Sequence, residues 1–450
     1  MDFSSINTKI RTIGKPKILS PILNTKIAEQ GQYFISDNDK VLIDLNPDNI
    51  KQLLIKGKTP ASFEIAGPKR NIYFDPSKLR CALVTCGGLC PGLNDVIRSI
   101  VLELYHRYNV SNIYGICYGL QGFIPKYGHK VMQLAPEVVS DILNAGGSIL
   151  GSSRGPQNIE EIVDSIERMN IGILFMIGGD GTLKAAGKIA DAVNNRGLKI
   201  SVVGIPKTID NDIYLVSRSF GFETAVEVAT QSIKAAHNEA RGYPNGIGLI
   251  KLMGRHSGFI AATGTLAQQD VNFVLIPEID FDLQGYGGLL SELEKRLSQR
   301  KHAVIIVAEG AGQKFFKNRE KESDASGNMK LNDIGLFLKQ EIADYFKSKH
   351  IDITLKYIDP SYIIRSLPAN ANDSVFCGFL GRYAVHAGMA GKTKLLIGHR
   401  NDHFVHIPIE SATFARKQVM PHEELWHTVL EATGQGNLMT KARRSEEGGE

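Results

Sequence analysis

Three short segments carry the residue types that phosphoryl chemistry uses. Gly204–Asp212 reads GIPKTIDND, with a lysine, a threonine, an asparagine and two aspartates behind the short run Ile200-Ser201-Val202-Val203. Gly178–Thr182 reads GGDGT, and Met253–Gly258 reads MGRHSG. In an extended segment Asp210 and Asp212 point to one face, roughly 6–7 Å apart. One carboxylate can then take a hydroxyl proton while the other faces a metal or fixes a neighbour. Phosphoryl transfer to an alcohol asks for little more: a base, cations to take the spreading charge, and in-line positioning. The same pair would serve equally well as a helix cap paired with Lys207, and the segment alone leaves both readings open.

GGDGT follows the apolar run Ile171 to Ile177 and opens a helical pattern. Consecutive glycines let backbone N–H groups approach an anion, and a helix start adds partial positive charge. An acidic residue there repels phosphate unless a cation intervenes. Asp180 is therefore expected to reach Mg²⁺, which binds through one or two carboxylates plus substrate phosphates. CGGLCPGLND at 86–95 is a second glycine-rich turn, and GSSRGP at 151–156 offers Arg154, whose planar fork suits phosphate. Arg255, beside Gly254, is placed to touch a transferring phosphoryl group. Glu309 stands at a strand end, and KYIDPSYIIR supplies three donors for a phosphorylated sugar: Lys356, Tyr362 and Arg365. GMAGKT at 388–393 imitates a phosphate-binding P-loop, but His386 stands where the first glycine is needed and no apolar strand feeds it.

The elements that must position these residues alternate. Apolar runs at 81–85, 113–117, 171–177, 200–203, 247–252, 271–276 and 303–308 read as strands. Helical patterns follow Gly92 and Gly181 and cover 225–241, 289–298 and 334–346. Strands that are apolar throughout predict parallel sheets covered on both faces, with ligands at the carboxyl ends. Residues 1 to about 76 are polar and read as a separate leader. The polar stretch 317–330 reads as an exposed loop.

The bulk composition excludes several classes. With 450 residues, two or three domains are expected. A net charge of +5 does not argue for nucleic acid, and the basic KARR at 441–444 lies in a tail that ends acidic. Five cysteines suit a reducing compartment, and Cys86-x3-Cys90 lacks a second ligand pair for zinc. No window is apolar enough for a membrane span, and the first residues lack the apolar core of a signal peptide, so a cytoplasmic enzyme is expected.

The joint occurrence of GGDGT, PKTIDND and MGR resembles the phosphofructokinase family. The likeness covers nearly all of 80–410, through TCGGLCPGLNDVIRSI, GGSILGSSRGPQ, GIGLIKLMGRHSGFIAA, VIIVAEGAGQ and KYIDPSYIIR. These strings are similar to the ATP-dependent enzymes of trypanosomatids, a branch related to the pyrophosphate users. The resemblance implies an α/β fold of two Rossmann-like doubly wound domains with an N-terminal extension at 1–76. A nucleotide domain would span 77–215 plus about 391–419, and a fructose 6-phosphate domain 216–390 plus about 420–450. It implies transfer from MgATP to the 1-hydroxyl of fructose 6-phosphate, in a homo-oligomer of two or four chains.

The resemblance also implies roles for single residues. Asp210 would be the base, with Arg255, Lys207, Thr208 and Asp212 in the catalytic set and Asp180 serving Mg²⁺. Gly88, Arg154, Gly155, Gly179, Asp180, Gly181 and Thr182 would hold ATP. Thr208, Ile209, Asp210, Met253, Gly254, Arg255, Glu309, Lys356, Tyr362, Ile363, Ile364 and Arg365 would hold the sugar phosphate. In this family glycine after the GGD aspartate leaves room for the α-phosphate of a nucleotide, whereas aspartate there restricts the donor to pyrophosphate. Gly181 therefore points to ATP, although Lys207 is typical of the pyrophosphate branch. Gly246 and Lys356 stand where the short bacterial enzymes carry arginines, so the phosphate contact those enzymes make between subunits lacks its first arginine here. The alternatives to an ATP enzyme are a pyrophosphate-dependent phosphofructokinase and a catalytically inactive regulatory subunit.

Overall fold

The computed structural model describes residues 3, 6–24, 34–316, 330–436 and 438. The expected loop at 317–330, save its last residue, and the basic tail at 441–444 lie outside the described residues. The chain divides into two compact units: 1–208, 213–221 and 366–416 in the first, and 209–212, 222–365 and 417–450 in the second.

Unit 1 is built on a sheet of nine strands. Its centre is five parallel strands in the order Asn112–Ile116, Arg80–Thr85, Ile173–Gly178, Ser201–Pro206 and Leu395–Arg400. Ile173–Gly178 and Ser201–Pro206 are buried along their whole length, which is why both read as unbroken apolar runs. The chain leaves Arg80–Thr85 for one neighbour, Asn112–Ile116, and later adds Ile173–Gly178 on the other side. The loops after Arg80–Thr85 and Ile173–Gly178 therefore flank a topological switch point, the place where open α/β sheets bind ligands.

The sheet is not purely parallel. Val131–Leu134 closes one edge antiparallel, and His403–Pro408, Ser62–Ile65 and Lys40–Leu42 extend the other. The last two strands come from the segment expected to stand apart as a leader. Further along it, Arg11–Thr12 pairs with Lys392–Thr393, and Ile18–Leu19 with Asn71–Ile72. The N-terminal segment is thus part of the sheet, held by backbone ladders that its short, mixed strands do not advertise.

Unit 2 carries four parallel strands in the order Phe273–Leu275, His302–Ala308, Gly246–Leu252 and Thr354–Ile358. Helices Phe222–Arg241, Phe259–Gln268, Leu289–Arg300 and Ile334–Ser348 belong to it. Leu249, Phe273, Ile305, Leu293, Leu338 and Phe346 share its core. The strand order reverses at Gly246–Leu252, so the loop Met253–Gly258 and the turn after Ile358 flank a second switch point. Gly246 starts that strand under the end of helix Phe222–Arg241, where a Cβ would lie 2.0 Å from the Ala240 carbonyl oxygen.

The helix Ala371–Met389 was not expected and packs in unit 1, whereas the sequence placed 216–390 in the second domain. It runs beside Leu93–Tyr108, so closely that a Cβ at Gly381 would meet Ser99 at 2.6 Å. Its apolar residues fall on all sides, so no one-sided stripe reveals it.

Candidate active site

In unit 1 the site residues gather on four loops. Gly179 caps helix Asp180–Asn195 without any side-chain hydrogen bond, which leaves the first-turn N–H groups open to an anion. Asp180 opens that helix, and its Oδ2 accepts from Lys184 Nζ at 2.9 Å and from Arg416 Nη2 at 3.5 Å. Gly181 is exposed, and a Cβ there would meet nothing within 4 Å. Thr182 is buried behind it. Lys207 is buried too, and its ammonium donates to the Gly88 carbonyl, at the turn after Arg80–Thr85. Arg154 is exposed, and its Nη2 sits 3.4 Å from where a Cβ of Gly88 would be. Among the described residues the Arg154 guanidinium has no ion-pair partner. Gly155 follows in the left-handed region at φ 94°. Three cations or N–H groups thus converge on the Gly87–Gly88 turn: Arg154, Lys207 and the backbone itself.

Unit 2 gathers the acidic and arginine groups. Asp210 Oδ2 accepts the Arg255 backbone N–H at 3.3 Å, and Ser257 Oγ donates to the Asp210 carbonyl at 2.9 Å. Burial pushes the Asp210 carboxyl up to about 7, helped by the Asp212 and Glu309 carboxylates and opposed by the Arg255 N–H and by Arg365. Glu309 is also raised, first by burial, against the pull of Arg365, Arg255 and Lys251. Three carboxylates and two arginines therefore feel one another strongly, a pattern typical of functional sites. The loop that brings them together needs its glycines. Gly254 sits at φ 130°, with a would-be Cβ 2.4 Å from Ser257 O, and a Cβ at Gly310 would strike Arg255 O at 2.0 Å.

Not every expected residue joins these groups. Ile209, Met253 and Ile364 are buried, so their side chains serve packing and only their backbone could meet a ligand. Tyr362 and Ile363 are 79% and 62% exposed on the helix Ser361–Ser366. Lys356 pairs in register with Gly248, and its ammonium lies over the Tyr243 ring at 5.2 Å. Leu252 ends the adjacent strand four residues beyond Gly248, about 13 Å further along. Lys356 is therefore not part of the Asp210–Arg255–Glu309 group, because its side chain is taken up at the opposite end of the sheet. The GMAGKT segment is structural: Lys392 is buried and pairs with Glu64 at 2.6 Å and Asp37 at 3.0 Å. Cys86 and Cys90 are buried thiols, and no group of three or more metal-binding side chains occurs among the described residues.

The family model described as "Phosphofructokinase" matches residues 80–388. The chain belongs to the phosphofructokinase family. It is 50% identical over 442 residues to the ATP-dependent 6-phosphofructokinase of Borreliella burgdorferi, covering 96% of this chain and 97% of that one. It is 44% identical to the enzyme of the same description from Amycolatopsis methanolica, over 95% of this chain and 94% of that one. The corresponding figures for Trypanoplasma borreli are 43%, 95% and 87%. Among solved structures, a pyrophosphate-dependent phosphofructokinase from Marinobacter aquaeolei superposes with a TM-score of 0.66 at 18% identity, covering 79% of this chain and 91% of that one. That likeness is one of fold.

Within this phosphofructokinase, some supporting residues left no trace in the sequence. Lys251 pairs with Asp333 at 2.8 Å and Asp359 at 2.9 Å, pinning the turn that leads to Tyr362 and Arg365. Burial opposes its charge, but the two carboxylates more than offset this and hold its pKa above the ordinary lysine range. Glu278 Oε1 accepts the N–H groups of Gly258 at 3.0 Å and Val419 at 2.8 Å, clasping the end of the Arg255 loop to the C-terminal segment. A lysine in a strand and a glutamate after one are too common to be singled out by type.

Proposed function

We propose that this chain is an ATP-dependent 6-phosphofructokinase of glycolysis, converting ATP and fructose 6-phosphate to ADP and fructose 1,6-bisphosphate. The observation that carries the reading is Asp210: a carboxylate raised to about 7 and held by the Arg255 backbone, in the family to which the 50% identical relative belongs. A base of that strength takes the proton of the 1-hydroxyl as the oxygen attacks phosphorus, with about half of it ionised at pH 7 and more as the pH rises. Arg255 offsets the charge that gathers on the moving phosphoryl group. Arg365 and Glu309 hold the sugar phosphate and its hydroxyls in the second unit.

In the first unit, Arg154, the Gly87–Gly88 turn and the open start of helix Asp180–Asn195 receive the nucleotide phosphates, and Lys207 supplies a buried cation beside them. A single carboxylate, Asp180, fits a Mg²⁺ that travels on those phosphates, since no closed cage of protein ligands is present among the described residues. When bound, that ion would neutralise phosphate charge. Open space at Gly181 supports a nucleotide donor. A coupled assay with each donor in turn is the test. Turnover with pyrophosphate and none with ATP would replace this reading by the pyrophosphate-dependent one. The enzyme would act in the cytoplasm as a homo-oligomer, dimeric or tetrameric, which sedimentation can decide.

A further inference from the structure

We propose that Tyr118 is the platform on which the purine base of the nucleotide stacks. The inference rests on the ATP-dependent reading above and adds a residue to it. Tyr118 is 51% exposed and sits in the left-handed region at φ 58°, ψ 46°. A bulky aromatic residue rarely adopts that conformation, and it persists only where its surroundings impose it. Here they do. The Tyr118 N–H donates to Leu150 O at 2.8 Å, and the ring lies where a Cβ of Gly151 would touch it at 3.0 Å. The next residue, Gly119, meets Ser153 so closely that a Cβ would fall 2.5 Å from its Oγ.

Behind Tyr118 stand two more rings. His129 lies 4.7 Å from it, and Tyr127 stacks on His129 at 5.8 Å with the planes 7° apart. The fold thus uses backbone strain and two further rings to hold one aromatic side chain half in solvent, which packing alone does not require.

Its location indicates what it binds. The loop that carries Gly151 continues to Arg154, and three residues span at most about 10 Å. Ser152 Oγ donates to the Gly87 carbonyl, and the Gly87 N–H donates to Ser153 O at 3.1 Å. Tyr118 is therefore locked to the same loop pair that presents Arg154 and Gly88 to phosphate. A nucleotide whose phosphates rest there extends its ribose and base away from them over a comparable distance. A flat, half-exposed ring at that range matches a purine face, and stacking reads the face rather than the hydrogen-bonding edge.

Tyr118→Gly removes the ring and keeps the backbone, since glycine adopts φ 58° without cost. The KM for ATP should rise about tenfold, the loss expected for one aromatic–base stack, while the KM for fructose 6-phosphate stays within twofold. Tyr118→Phe should restore the ATP value. Tyr118→Trp adds a reporter to a chain with one tryptophan. Its fluorescence should change with ATP or ADP and not with inorganic tripolyphosphate. An ATP KM within twofold of the parent in Tyr118→Gly overturns the platform, as does an identical response of the tryptophan to ATP and tripolyphosphate. Should Tyr118→Gly fail to fold, the tryptophan decides. A parent enzyme that fails to use ATP at all would instead refute the donor assignment, a separate outcome.

Discussion

Asp210 is charged with difficulty, and two consequences follow. As a base it must be ionised, so kcat/KM should fall about tenfold per pH unit below pH 7 and level off above it. An acid limb that begins below pH 5 would contradict the assignment. The folded state also binds the Asp210 proton more tightly than the unfolded chain does. Ionised Asp210 therefore costs stability at high pH, a cost that disappears as pH falls from about 7 through 3.8. Asp210→Asn should lower kcat by at least ~10²–10⁴. In the same protein it should raise stability at pH 8 by on the order of 1–2 kcal/mol, discounted because the residue is only half-buried, with the gain shrinking toward pH 4. Gly181→Asp tests the donor. A Cβ there meets nothing within 4 Å, so the variant should melt within a degree or two of the parent while its affinity for ATP collapses. Unchanged ATP affinity in a kinetic titration would remove the steric argument. At this scale the segments were legible: GGDGT, PKTIDND and MGR were expected at strand ends, and the structure has Asp180, Lys207, Asp210 and Arg255 there, in the roles proposed above. Lys356 was misplaced because a cation near a motif says nothing about which end of its strand it occupies.

The elements were read where they are one-sided or wholly apolar. Strands Ile173–Gly178 and His302–Ala308 and helix Ile334–Ser348 were expected within two residues of their observed ends. Antiparallel strands at 395–400 and 403–408 went unseen, since they are joined by only two residues, Asn401 and Asp402, that both take positive φ without a glycine to mark the turn. Helix Ala371–Met389 was hidden because its exposed side also carries apolar residues, Val375 and Phe379, so no polar face sets off the buried one. The prediction at this scale concerns Lys251. Lys251→Met keeps the aliphatic stem but leaves Asp333 and Asp359 facing each other, which should loosen the turn before Arg365. The KM for fructose 6-phosphate should rise severalfold and that for ATP should not move. Stability should drop by about 1 kcal/mol, because both carboxylates remain partly solvated. Equal changes in both KM values would mean general damage rather than a positioning role.

For the molecule as a whole, the N-terminal segment is the part whose attachment composition left open. Polar residues suggested a separate leader, at most embracing the body or a neighbouring subunit, and Glu64 and Asp37 reach the buried Lys392, with His406 3.3 Å from Glu64. Burial pushes the Glu64 carboxyl up, but its bonds to His406 and Lys392 outweigh this and leave it below the usual glutamate range. It follows that Glu64 adds stability above pH 4.5, which is lost as pH falls through its lower folded value. Glu64→Gln should cost roughly 2 kcal/mol at pH 7, less than a fully broken buried pair because Asp37 remains on Lys392. Thermal melts should show that difference narrowing below pH 4.5; a difference independent of pH would assign the loss to packing instead.

The start of strand Gly246–Leu252 also bears on descent. The strand begins on a glycine with the Ala240 carbonyl 2.0 Å from any Cβ it might acquire. One base change turns a glycine codon into an arginine codon, but the side chain would not fit, because even alanine would have to displace the end of the preceding helix. Substitution at this turn is therefore closed to small steps, and any contact that a longer side chain here could make has to be made by other residues or not at all.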